Sequence, residues 1–280
     1  RSKETDAKEV MTLAQFEEPF LTFSRNNNKP SAVHAKRYIL RLHLLPFFGA
    51  MKLDQIGAKE IERYKQLKQQ PDEAQSPKSI NNHLAVLRKM LNLAVEYEEL
   101  DWAPKVKALR QPEHDFEFLD FLEAERLLEA ADPKWRCILT LALKTGLRIG
   151  ELLALKWEDI DLKVGRLVVK RTLWTNLEGT PKGGKRREVP LSRQTVAMLK
   201  AHRHLIGPYV FCDERGNHFT HNALQRLVPQ TCRRAGLARW VSWHDLRHTF
   251  ASHLVMKGRS LLEVQQLLGH STIGMTMRYA

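Results

Sequence analysis

The sequence predicts a mainly α-helical chain in two domains, the second carrying one small antiparallel β-sheet. Three observations carry that expectation. Apolar residues recur at helical spacing behind capping residues over roughly the first hundred positions. A stretch with two prolines and no periodicity, "DWAPKVKALRQPEHDF" at 101–116, interrupts them, and strand character is confined to short segments between residues 157 and 192. With 280 residues and 43% hydrophobic content there is enough material for real cores.

In the first domain, residues 1–104, Thr12 and Gln15 form a capping box ahead of Leu13, Phe16, Phe20 and Phe23. Ser31 is expected to open a second helix that Pro46 and Gly49 end, and "AKEIERYKQLK" a third after Gly57. The fourth has the clearest pattern, with Ile80, Leu84, Leu87, Leu91 and Ala94 on one stripe. The polar faces carry Lys36, Arg37, Arg41, Lys78, Asn81, Asn82, Arg88 and Lys89, residue types suited to phosphate oxygens and base edges. A merely solvated face is the competing reading.

Residues 105–116 read as a linker, and residues 117–280 as the second domain. There Asp120 and Glu123 form another capping box, and "KWRCILTLALKT" gives a mostly buried helix ending near Gly146. The strand segments are "WEDID", "RLVVKRT" and "REVPLS", with a turn through Gly165. From Thr220 onward helices return, with stops at Gly236, Gly258 and Gly269.

Charge narrows the partners. Lys and Arg outnumber Asp and Glu by 45 to 32, a net charge of +13, which favours a polyanion and makes nucleic acid the first partner to consider. Cys137, Cys212 and Cys232 show no CxxC spacing, so neither a disulfide framework nor a redox motif is supported and a reducing cytoplasm is expected. No apolar run approaches the roughly 18 residues of a membrane span, and "RSKETDAKEV" has no signal-peptide core. The first residue is Arg1, so removal of an upstream segment, such as an arm-binding domain, stays open.

Four stretches carry chemistry. In "WHDLRHTFASHL", Ser242 caps a helix on which His244 and Arg247 share a face, while Leu246, Phe250 and Leu254 form a buried stripe. His248 is four residues from His244, but without a metalloprotease glutamate or a third ligand no metal site is expected. In "TGLRIGELL", Arg148 sits among apolar residues and needs a partner, for which Glu151 is the local candidate. "NLEGTPKGGKRREVP" places Lys182, Lys185, Arg186 and Arg187 in a mobile basic hairpin tip. Finally, in "LLGHSTIGMTMRYA", Gly269 ends a helix, His270 follows, and a short helix from Ser271 reaches Tyr279. His202, His204, His218 and His221 lie in polar segments and are expected to make loop or DNA-backbone contacts.

Taken in order, Arg148 in "TGLRIGEL", Lys182 in "KGGKRREVPL", His244 and Arg247 in "HDLRH", His270 in "LLGHS" and Tyr279 resemble the tyrosine recombinase (phage integrase) family. The resemblance covers roughly residues 114–280, and it implies a helical core-binding domain followed by an α+β catalytic domain. It implies that Tyr279 attacks a DNA phosphodiester to form a 3′-phosphotyrosyl link and free a 5′-hydroxyl. Arg148 and Arg247 then match the family's arginine pair, and two guanidinium forks suit a phosphorane-like transition state. His244 and His270 match phosphate-contacting positions, with His244 the better candidate to receive the tyrosine proton. Lys182, rather than Lys185, matches the lysine that protonates the departing oxygen, and Glu151 a support for the first arginine.

No metal, cofactor or ATP is implied. The implied partners are double-stranded DNA at a specific recombination site, a homotetramer in the synaptic complex, and accessory DNA-bending or directionality proteins. The long hairpin favours the integrase of a phage or mobile element; a Xer-type chromosome-dimer resolvase, a type IB topoisomerase-like enzyme and a non-catalytic DNA-binding protein are the alternatives. The family usually follows its tyrosine with a segment that docks on a neighbouring protomer, and since Ala280 ends this sequence, cleavage is expected to exceed assembly.

Overall fold

The structure, a computed structural model, describes residues 9–112, 117–181, 183–184 and 186–280. The chain divides into two compact units, Arg1–His114 and Asp115–Ala280. Among the described residues no helix is long and apolar enough to cross a membrane.

The first unit is all helical. The Thr12–Gln15 box forms reciprocally, Gln15 N donating to Thr12 Oγ1 and Thr12 N to Gln15 Oε1, just before α1 (Glu17–Asn27). Helix α2 (Pro30–Ile39) starts one residue earlier than the sequence suggested, because Pro30 fills its first position, where a missing N–H costs nothing. Pro46 does not end it. The chain passes through a wider π-turn, Leu40–Leu44, into α3 (Leu45–Phe48), and only Gly49 stops it. Helices α4 (Ala58–Lys68) and α5 (Pro77–Glu96) follow, and the α5 stripe Ile80, Leu84, Leu87, Leu91 and Ala94 is buried throughout.

Residues beyond α5 still belong to this core: Leu100, Ala103, Val106 and Leu109 pack against it. Asn81 is the fastener. Its amide donates to Leu109 O (2.9 Å) and accepts from Leu109 N (2.7 Å), so this residue, grouped above with types suited to phosphate oxygens and base edges, is occupied with the backbone. Lys36 and Lys89 lie over the Phe20 and Phe23 rings, which the sequence pattern did not reveal.

In the second unit, Asp120 and Glu123 cap α6 (Phe121–Glu129), and Asp132 caps α7 (Pro133–Thr145). Helix α7 stops at Gly146, whose φ of +62° is left-handed; a Cβ there would also sit 2.4 Å from Phe250 Cδ1. Helix α8 (Ile149–Leu153) leads to three strands, β1 (Ile160–Asp161), β2 (Arg166–Val169) and, later, β5 (Arg187–Pro190), in the antiparallel order β1-β2-β5. Between β2 and β5 a separate hairpin, β3 (Thr172–Trp174) and β4 (Leu177–Gly179), interrupts what reads in sequence as a polar loop. Arg171 ties its base down through ion pairs to Glu158, Asp159 and Glu178.

Helix α9 (Arg193–His202), capped by Ser192, had no clear sequence signal. Helices α10 (His221–Leu224), α11 (Leu227–Arg234), α12 (Trp243–Met256) and α13 (Leu261–Leu268) complete the unit. Ser242 and Ser260 cap the last two, and Gly269 in left-handed conformation ends α13. The terminal segment forms two 3₁₀ turns, Ile273–Met275 and Met277–Tyr279.

Candidate active site

Arg247 is the anchor. It sits mid-helix on α12, 1% exposed, with Nη1 donating to Gly146 O (2.7 Å) and Nη2 to Leu268 O (2.6 Å). Those carbonyls close α7 and α13, and carbonyls at a helix C-terminus lack helical partners and carry partial negative charge. Two helix ends thus satisfy a guanidinium that burial would otherwise penalise. Burial first, and then the Arg148 charge, push Arg247 down to about 9, so it remains a cation at neutral pH.

Glu151 is the matching buried anion. Arg187 grips it with both terminal nitrogens (Nη1 to Oε1 3.0 Å, Nη2 to Oε2 2.6 Å), and Arg148 adds its backbone N–H (2.9 Å) and Nη1 (3.1 Å). Burial opposes the carboxylate most strongly, but the hydrogen bonds and charges of Arg187 and Arg148 together outweigh it and hold the group below its ordinary 4.5. A third Arg187 bond, Nε to Leu267 O (2.8 Å), ties β5 to the end of α13. Arg148 keeps a partly exposed guanidinium, held from behind by Glu151.

The sequence reading counted Arg187 with the mobile basic tip as well as at the start of the strand segment "REVPLS", and it gave the side chain no buried partner. Strand register turns it inward instead: it pairs opposite Val169 and alternates in phase with buried Val189, and that period-two alternation was the available signal.

The terminal turns complete the site. Tyr279 is buried against Phe250, Ala251, Val264 and Leu268, and its ring lies parallel to His270 at 6.5 Å. His270 Nδ1 shares a 2.9 Å hydrogen bond with Thr276 Oγ1, and Thr276 O accepts from Tyr279 N (3.0 Å), so one buried threonine orients both residues. Burial first, then Arg247 and Arg148, push His270 down to about 4. Burial raises the Tyr279 phenol, and the charges of Arg247, Arg278 and Arg148 offset only part of that rise. The phenol is therefore protonated at rest.

Arg148, His244, Arg247, His270 and Tyr279 come together, while Lys182 lies outside the described residues, as does Lys185. His244 is exposed on the first turn of α12, and its ring meets the His248 edge at 4.6 Å. It is His248 that reaches the tyrosine: Nδ1 is 2.6 Å from Tyr279 Oη. His202 and His204 contact the loop that follows α9, both Nε2 atoms lying on Val210 O (3.0 and 3.2 Å). Among the described residues no group of three or more His, Cys, Asp or Glu side chains is placed to hold a metal.

The profile of the phage integrase family matches residues 117–280, the unit that holds this cluster. The chain belongs to the phage integrase family. A second profile, the phage integrase N-terminal SAM-like domain, matches residues 12–67. The tyrosine recombinase XerC of Xanthomonas campestris pv. campestris (strain B100) is 34% identical over 215 residues, covering 73% of this chain and 64% of that relative. The integrase of transposon Tn1549, solved with a circular intermediate DNA, superposes with a TM-score of 0.82 at 19% identity, over 96% of this chain and 95% of that one. A lambda integrase tetramer bound to a Holliday junction gives 0.79 at 20% identity, over 98% of this chain and 78% of that one. These two likenesses establish the fold: mainly helical with a small antiparallel sheet, as the family's members have it.

Proposed function

We propose that this phage integrase family member is a site-specific DNA recombinase that cuts and rejoins duplex DNA through a 3′-phosphotyrosyl link on Tyr279. The observation that carries the reading is the placement of a buried phenol among Arg148, Arg247 and His270, within the field of three arginines. In the reaction, Tyr279 Oη attacks phosphorus and the bond to the 5′ oxygen breaks. Arg148 and Arg247 face the charge that gathers on the non-bridging oxygens, and fixed guanidiniums stabilise it without reorganising. His244 and His270 contribute further hydrogen bonds to the phosphate, and Lys182 protonates the leaving oxygen. Because the phosphotyrosyl link retains the phosphodiester's bond energy, rejoining to another strand consumes no ATP.

The partners in this reading are double-stranded DNA and three further copies of the chain in a synaptic tetramer, acting in the cytoplasm. An integrase of a phage or mobile element is the leading role, supported by the inserted β3–β4 hairpin. A Xer-type resolvase is the second, favoured by the similarity to XerC. The test is capture of an SDS-resistant adduct on nicked duplexes. The parent protein is expected to form it, and Tyr279→Phe to bind DNA without forming it; an adduct with Tyr279→Phe removes the nucleophile assignment. Cleavage in DNA flanking the gene supports the integrase role, and cleavage only at a remote chromosomal site supports the resolvase.

A further inference from the structure

The hydrogen bond between Tyr279 and His248 bears directly on how a protonated, buried phenol becomes a nucleophile. We propose that His248 is the base that takes the Tyr279 proton as the tyrosine attacks DNA, and returns it when the strand is rejoined. The proposal rests on the reading of Tyr279 as the nucleophile.

The geometry carries it. Nδ1 lies 2.6 Å from Oη, within the reach that general-base catalysis requires. The His248 ring is buried between His244, edge-on at 4.6 Å, and Tyr279, at 5.6 Å between ring centres, so its position is fixed by packing. It follows Arg247 directly on the buried part of α12, so one rigid turn sets the base relative to the Arg247 guanidinium. His244 sits a turn earlier, exposed, and is better placed to meet the DNA.

The proton balance is simple. Neutral His248 accepts the phenol hydrogen bond at Nδ1. On attack the Oη–H bond breaks, Nδ1–H forms, Oη bonds to phosphorus and the bond to the 5′ oxygen breaks, that oxygen taking a proton from the hairpin lysine. Rejoining reverses each transfer. The groups facing His248 are His244, Arg247, Arg278 and Tyr279 together with Asp245, so the surroundings are mostly cationic. Burial first and then His244 push the imidazole down to about 4, which keeps the proton on the tyrosine at rest.

The test measures adduct formation by the full chain on nicked duplexes made from the DNA flanking the gene and from the remote chromosomal site of the resolvase reading, with oxygen or sulfur at the bridging 5′ position. His248→Gln is expected to slow cleavage about 10²–10⁴-fold near neutral pH, the usual worth of a general base. The deficit should narrow as pH rises and hydroxide takes over the phenol proton. A sulfur leaving group needs no acid, so it should restore Lys182→Ala and leave His248→Gln slow. His248→Ala should regain activity when imidazole is added, a rescue that serves equally if the Gln variant folds poorly. Cleavage by His248→Gln within threefold of the parent, a deficit indifferent to pH, or no response of His248→Ala to imidazole overturns the proposal. Should the parent form no adduct, or Tyr279→Phe form one, it is the nucleophile reading that falls.

Discussion

The guanidinium floor of the site and the strip that carries Tyr279 hold their functional side chains by different means. The floor is cross-braced: Glu151 joins α8 to β5 through Arg187, Arg187 joins β5 to α13, and Arg247 joins α12 to the ends of α7 and α13. Every bond there is charge-assisted, and all but the part-buried one from Arg187 to Leu267 O are buried. The strip, residues 271–280, consists of two 3₁₀ turns, whose hydrogen bonds are poorer than those of an α-helix, and it leaves Ile273 and Met277 exposed. The His270–Thr276 and Tyr279–His248 bonds fasten it to the rest. Under the proposed function, the difference separates two requirements of phosphoryl transfer. Charge stabilisation needs donors that do not move, whereas the nucleophile must approach, form a covalent bond and release.

The contrast can be broken most severely at Glu151. Glu151→Gln leaves Arg187 buried without its counter-charge, and removing one partner of a buried pair typically costs about 3–5 kcal/mol. Urea denaturation should show a loss of that order, and a loss of less than about 1 kcal/mol would mean that the floor is not braced as described.

Acid separates the two regions by order. His248 and His270 sit at about 4 in the folded protein against an ordinary 6.5, so between those values the unfolded chain binds protons that the folded one does not. Their share of stability is complete above about 6.5 and falls as pH drops toward 4. The Glu151 carboxylate, held below its ordinary 4.5, loses its share only when pH falls below that value and through the lowered one. Hydrogen exchange, corrected for intrinsic rates, should therefore rise first in residues 271–280 and later in residues 146–153; simultaneous loosening would contradict the order.

The smallest effect on stability is expected from Thr276→Val, which keeps the shape and removes the His270 bond. A single hydrogen bond is worth about 0.5–1.5 kcal/mol, so melting should shift little while cleavage slows as His270 loses its orientation. Unchanged cleavage would show that the threonine only packs.

What was legible in the sequence was local. Capping boxes at Thr12 and Asp120, the cap at Ser242 and the stops at Gly146 and Gly269 are decided within a few residues, and the structure has them. The order of the motifs was enough to gather Arg148, His244, Arg247, His270 and Tyr279 before any coordinates. What escaped depends on tertiary register. Arg187 reads as loop charge until β5 is paired with β2, and Asn81 reads as a DNA contact until residues 100–109 fold back on α5. His248 was weighed only as a metal ligand, because its true neighbour lies 31 positions away. Pro46 reads as a helix stop because a π-turn has no plain sequence signature.

The central claim is that Tyr279 carries the covalent link to DNA, and the direct measurement is where the nucleotide sits in the captured adduct. After nuclease and protease digestion, mass spectrometry should find the residual 3′-nucleotide on the peptide that contains Tyr279 and on that residue. A nucleotide on any other residue, or an adduct of undiminished yield from Tyr279→Phe, would contradict it.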